Sequence, residues 1–121
     1  MSEDNSKEIR STVTSDGNVE ISIETVKKPI PKENEVLLKV EASPINPSDL
    51  GLLISFAADL DSLSVSGSGD ETVATMKVHE ALMKTMTPRL DLSMQVGNEG
   101  GGIIESAGSE AQELIGKTVG V

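Results

Sequence analysis

Apolar and polar residues alternate along much of this chain with the two-residue period of strands. Val19, Ile21 and Ile23 share one phase, and Glu20, Ser22 and Glu24 the other. That is the pattern of a half-buried strand, expected over Val19–Val26. A preceding strand is expected over Ile9–Ser15. Asp16-Gly17-Asn18 joins the two and favours positive φ, so the pair reads as a hairpin. Pro29 and Pro31 interrupt the pattern, since each removes a ladder donor. After the polar turn Lys32-Glu33-Asn34, Glu35–Ala42 is the most regular strand, with Val36, Leu38 and Val40 in phase. Ser43-Pro44-Ile45-Asn46-Pro47 ends it, and Ser48 or Asp49 is placed to cap a short helix over Leu50–Ser55.

Residues 59–71 are rich in Ser, Gly and Asp and read as a long solvated loop. A short strand is expected over Thr72–Val78. A helix is expected over His79–Leu90, with Leu82, Met83, Met86 and Leu90 forming an apolar stripe. A glycine run, Gly97–Gly102, leads into a strand over Gly102–Ala107. Gly108-Ser109 is a turn, Ala111–Leu114 a helical turn, and Thr118–Val121 the start of a further strand. Strands come first, short helices are inserted, and strands follow, which is not the βαβα alternation of a nucleotide-binding sheet. The expected fold is mainly β, a partly open barrel with short helices near 48–55 and 79–90. The expected organisation is a disordered tail over 1–8 and one domain over 9–121, with a loop insertion at about 59–91.

Composition narrows the chemistry. Twenty acidic residues against ten basic ones give 121 residues a formal net charge of −10. That field repels polyphosphate, and nucleic-acid binding is not expected. Cysteine is absent and His79 is the sole histidine, which removes disulfides, thiolate metal sites, a cysteine nucleophile and any multi-histidine centre. One Phe, with no Tyr or Trp, leaves the core to aliphatic residues and Met. Met76, Met83, Met86 and Met94 read as gap-filling core. No apolar run is long enough for a membrane helix, and the polar N-terminus lacks the apolar centre of a signal peptide. A cytoplasmic location is the expectation.

Several templates fail. The glycine run is not GxGxxG, because Glu105 stands where the last glycine belongs, and no Walker lysine follows it. His79 and the carboxylate pairs Asp59/Asp61 and Asp70/Glu71 read as surface groups. Two segments remain. Pro44-Ile45-Asn46-Pro47-Ser48-Asp49 holds an amide between two prolines on a stiff corner. Val96-Gly97-Asn98-Glu99-Gly100-Gly101-Gly102 holds an amide and a carboxylate where backbone can approach closely.

These two segments in this order, within "NEVLLKVEASPINPSDLGLL" and "GNEGGGIIESAGSEAQELIGKTVGV", resemble the N-terminal, GroES-like catalytic domain of the medium-chain dehydrogenase/reductase superfamily. The resemblance runs from about Ile9 to Val121. In the zinc alcohol dehydrogenases of that superfamily, a cysteine and a histidine ligate zinc at the positions that Asn46 and Asn98 occupy here; Asp49 and Glu99 are retained. A carboxamide is a poor zinc ligand. The resemblance therefore implies the zinc-independent, quinone-oxidoreductase-like branch, which uses NADPH or NADH.

It also implies roles. Asn46 would bond the nicotinamide ribose or a substrate oxygen. Asp49 would hold its corner through backbone amides, and Asn98 and Glu99 would line or brace the cleft floor. The superfamily carries a Rossmann domain downstream, so this chain is expected to be a fragment of an oxidoreductase that passes hydride to a quinone or carbonyl substrate. By itself it is expected to bind no nicotinamide and to be inactive. Apolar surface around Ile103, Ile104, Ile115 and Val119 implies a homo-oligomer. The alternative is a stand-alone GroES-like binding or assembly module without catalysis.

Overall fold

The computed structural model describes residues 4–121. They are mainly β, in two antiparallel sheets, neither of which closes into a barrel. The chain divides into two compact units. One comprises residues up to Val26 with Asn46–Val96, and the other Lys27–Ile45 with Gly97–Val121.

The first unit carries a five-stranded sheet. Its strands are β1 (Asn5–Val13), β2 (Asn18–Lys27), β4 (Ala58–Ser66), β5 (Val73–Val78) and β6 (Met94–Gln95), in the order β4-β5-β2-β1-β6. β1 and β2 meet across the expected turn, where Gly17 takes φ +95° and the Thr14 N–H donates to Asn18 O at 2.8 Å. β1 begins earlier than the sequence suggests. Asn5–Glu8, assigned above to a disordered tail, lie within the strand, and residues 1–3 of that tail fall outside the described residues. Polar side chains replace apolar ones in holding this end: Gln95 donates to Glu8 at 3.0 Å, and Lys7 pairs with Asp70.

The loop expected over 59–71 is instead β4 followed by a 3-10 turn, Gly69–Glu71. β4 lies at the sheet edge and its side chains are mostly exposed, Leu60, Leu63 and Val65 among them, so no clean buried face marks it as a strand. Its register with β5 passes from Asp59↔Lys77 to Ser64↔Thr75, five residues against two, so a bulge interrupts the edge. Ser62 bridges the bulge. Its Oγ accepts from the Lys77 N–H at 2.7 Å and donates to Asp59 O at 2.6 Å. Residues 59–91 thus hold most of β4, all of β5 and two 3-10 segments.

The helix expected over His79–Leu90 is a 3-10 segment, Glu80–Arg89. Pro88 has no N–H to give an α ladder. The Thr85 and Thr87 hydroxyls bond the Leu82 and Lys84 carbonyls, each three residues back, at 2.6 and 2.7 Å. A period of three also changes the apolar face. Met83, Met86 and Leu90 pack on the core, while Leu82 turns outward. That core is small: Val13, Val19, Ala57, Met76 and Val78, flanked by Ile21, Ile54 and Ala58.

The helix near 48–55 is α1, Pro47–Leu53. It starts earlier than expected because Asn46, not Ser48 or Asp49, is its N-cap, with Pro47 at the first helical position. There the missing N–H costs nothing and φ is already set.

The second unit holds a three-stranded sheet in the order β3 (Val36–Ala42), β7 (Gly101–Ala107) and β8 (Thr118–Gly120). Ile104 and Ala111 are its buried apolar residues. Ile104 therefore corrects the expected apolar surface, which is left to Ile103 and Ile115, with Val119 half-buried. β8 pairs fully with β7, from Gly101↔Gly120 to Ile103↔Thr118. Gly102 faces the β3 bulge so closely that a Cβ there would stand 1.9 Å from Lys39 O, whereas at Gly101 the nearest atom would be 3.5 Å away.

This contrast sets a stability test. Gly102→Ala is expected to cost about 3 kcal/mol or more, since backbone must move. Gly101→Ala, one residue away, should cost less than about 1 kcal/mol. Urea melts of both variants measure the difference.

Candidate functional site

Asn46 and Asp49 are brought together by α1. The Asn46 N–H donates to Asp49 Oδ2 at 2.8 Å, and the Asn46 side chain faces the Asp49 N–H in the reciprocal half of a capping box. Such a box satisfies orphan donors at both ends of one turn. Both residues are half-buried, with exposed Pro47 and Ser48 between them. Asp49 thus holds the proline corner through a backbone amide, and the polypeptide turns from extended to helical at Asn46.

A seven-residue helix is too short to persist on propensity alone, and its far end is fixed from two other elements. Ser11 of β1, fully buried, donates from Oγ to Leu53 O at 2.8 Å. Arg89, at the end of the 3-10 segment, donates from one nitrogen, Nη2, to Leu52 O and to Ser11 Oγ, each at 3.1 Å. Arg89 Nε is buried and has no hydrogen-bond partner. Burial holds the guanidinium pKa below its ordinary value, while leaving it charged at neutral pH.

Beyond α1, Ser55 takes φ +69° and is buried. Its Oγ accepts from the Ala57 N–H and donates to the Met86 sulfur, both at 3.2 Å. Phe56, the sole aromatic, is 90% exposed, and its ring lies along Gly51, where a Cβ would stand 3.0 Å from it.

Asn98 and Glu99 lie in the second unit, exposed in the segment that enters β7. Gly97 before them has φ +88°. Gly100 after them exchanges backbone hydrogen bonds with Val121 at 3.1 and 2.8 Å. A Cβ at Gly100 would stand 3.2 Å from the Val40 side chain. The segment is therefore anchored at its C-terminal side by β-type pairing, and Asn98 and Glu99 are both exposed.

The Asn98 amide carries one acceptor and two donor hydrogens, and Asn46, whose oxygen serves the capping box, carries donor hydrogens; neutral amides suit orienting a ligand oxygen rather than transferring a proton. His79 is exposed and its backbone, not its ring, is engaged, through N–H to Ala57 O at 2.8 Å. Among the described residues no three His, Cys, Asp or Glu side chains come together as a metal group, and no helix is long and apolar enough to cross a membrane.

Sequence reasoning missed Ser11 and Arg89. The signal for Ser11 was its phase, since it shares a strand face with Val13 two residues on and is polar where an apolar residue belongs. Arg89 offered only its place beside Leu90 at the end of an apolar stripe.

No family model matches the chain, and no curated protein matches it.

The cap gives a direct prediction. Asp49→Ala should cost about 1 kcal/mol by the usual worth of an N-terminal cap. Asn46→Ala should cost about the same, and the double variant less than the sum, because the two bonds form one box. Denaturant unfolding of the three variants measures it.

Proposed function

We propose that this chain is the substrate-side part of an NAD(P)H-dependent, zinc-independent oxidoreductase, in which hydride passes from the nicotinamide ring to a quinone or carbonyl acceptor. The observation that carries this reading is the ordered pair of segments, Ile45-Asn46-Pro47-Ser48-Asp49 and Gly97-Asn98-Glu99-Gly100-Gly101-Gly102. It is supported by a mainly β fold in which the first segment is a rigid capped corner and the second a glycine-rich entry to a strand. It is also supported by amides, not thiolate or imidazole, at the two positions where the related zinc enzymes hold metal.

In this reading Asn46 bonds the acceptor oxygen or the nicotinamide ribose, and Asp49 keeps Asn46 in place. For Asn98 and Glu99 the resemblance implies polar groups that line or brace a cleft. If hydride were delivered to the carbon of a carbonyl acceptor, or to one oxygen of a quinone, negative charge would develop on the carbonyl oxygen or on the quinone's other oxygen, and an amide N–H donor would stabilise that charge as it forms. The proton that completes the alcohol or hydroquinone comes from water. The nicotinamide would be held by a strand–glycine turn–helix unit, which is not found among the described residues. The reaction would run in the cytoplasm, where NAD(P)H is supplied.

The test uses the protein expressed from its native gene, assayed for NADPH and NADH oxidation against a panel of benzoquinones and conjugated carbonyls. Turnover with at least one acceptor is expected, with kcat/KM lowered about tenfold or more in Asn46→Ala, the scale of one lost bond to a developing charge. No turnover with any acceptor contradicts the reading. The 121-residue chain alone should show no calorimetric binding of either cofactor at micromolar concentrations, and binding there would contradict the assignment of the cofactor to another unit.

A further inference from the structure

Two elements that are remote in sequence from α1 converge at its C-terminal end, β1 through Ser11 and the 3-10 segment Glu80–Arg89 through Arg89, and the turn after α1 bonds the same segment through Ser55 and Met86. The last turn of any helix leaves carbonyls without intrahelical donors. Here two of them, at Leu52 and Leu53, receive bonds from Arg89 and Ser11. The N-terminal end of the same helix is the Asn46–Asp49 box. Because α1 has only seven residues, fixing one end leaves little freedom at the other.

We infer that Arg89 is the positioning residue of the Asn46–Asp49 corner: with Ser11 it clamps the end of α1 to β1, and through α1 it determines where Asn46 stands. That Asn46 meets a ligand rests on the function proposed above; the clamp does not. The way the guanidinium is used supports a positioning role over a role in general stability. One nitrogen makes both bonds to the clamp, and Nε is buried without a partner. A buried donor left unpaired costs stability, so this side chain contributes little to the unit as a whole while holding one helix end. A carbonyl bonded by a cation is held more strongly than by a neutral donor.

The same geometry distinguishes Lys from Met at this position. Two acceptors gathered around one nitrogen suit an ammonium, which carries three donors on one atom and has no counterpart of the orphaned Nε. Met has a comparable length of chain and no donor.

Amide hydrogen exchange followed by NMR on the full 121-residue chain tests the inference without substrate or cofactor, so it stands or falls separately from the proposed reaction. The Ile54 N–H, bonded to Leu50 O at 2.9 Å, reports on α1, and the β2–β5 amides from Val19 to Ser22 report on the sheet. In Arg89→Met, exchange at Ile54 should rise about tenfold or more, the worth of one charge-assisted bond, with the sheet amides changed less than about twofold. Ser11→Ala should likewise raise exchange at Ile54, and it keeps the inference testable if Arg89→Met fails to fold. Arg89→Lys should restore wild-type exchange. Equal loss of protection in helix and sheet, no loss in α1, or an Arg89→Lys variant that behaves like Arg89→Met would each overturn the assignment.

Discussion

The buried face of β1 carries the first unit. Ser11 and Val13 sit two residues apart on one side of the strand, both fully buried. Val13 is the centre of the aliphatic core, against Val19, Met76 and Val78. Ser11 is the centre of the polar junction that receives Arg89 and bonds the end of α1. The strand thus anchors an apolar contact and a polar one side by side, and the 3-10 segment reaches both, Met83 and Met86 to the core and Arg89 to Ser11. A chain with a single, exposed Phe has few large side chains to bury. Directed hydrogen bonds to helix carbonyls then fix geometry that bulky packing would otherwise fix.

The second unit is held in a different way. Its buried apolar residues are Ile104 and Ala111, and its order comes from backbone proximity. Gly102 lies against the Lys39 carbonyl, and Gly108 against the Lys32 and Glu33 carbonyls. Glycine is needed at both positions for contact rather than for φ, because any side chain would occupy the neighbouring strand's or turn's backbone. The Lys28–Glu105 ion pair at 2.7 Å adds a link on the surface, where such pairs contribute at most about 1 kcal/mol.

Strand positions were legible wherever the two-residue period was clean, as over Val19–Ile23, and turns wherever glycine required positive φ, as at Gly17. The edge strand β4 was not legible. Its Ser and Asp residues satisfy a bulge and solvent instead of a core, so the pattern resembles that of a loop. The 3-10 form of Glu80–Arg89 was written in Thr85, Thr87 and Pro88, but the Met spacing suits a helix of either period. At the candidate site, the pairing of Asn46 with Asp49 follows from their three-residue spacing around a proline. The clamp by Ser11 and Arg89 joins residues 78 positions apart, and only the fold brings them together. The functional reading accordingly rests on local motifs, while the residues that position Asn46 come from long-range structure.

The central claim is that α1 is docked on the buried face of β1 as part of one cooperative unit. Phe56 is a natural reporter, being the sole aromatic and lying along Gly51 of α1. With 4-fluorophenylalanine incorporated, its single fluorine resonance can be followed through urea unfolding beside the far-ultraviolet circular dichroism of the sheets. The account predicts that the fluorine signal and the loss of β structure share one midpoint while the Ser11–Arg89 clamp is intact, and that in Arg89→Met the fluorine transition moves to lower urea. With the clamp intact, a fluorine transition completed at lower urea, with the sheet signal still native, would show that α1 leaves β1 independently and would contradict it.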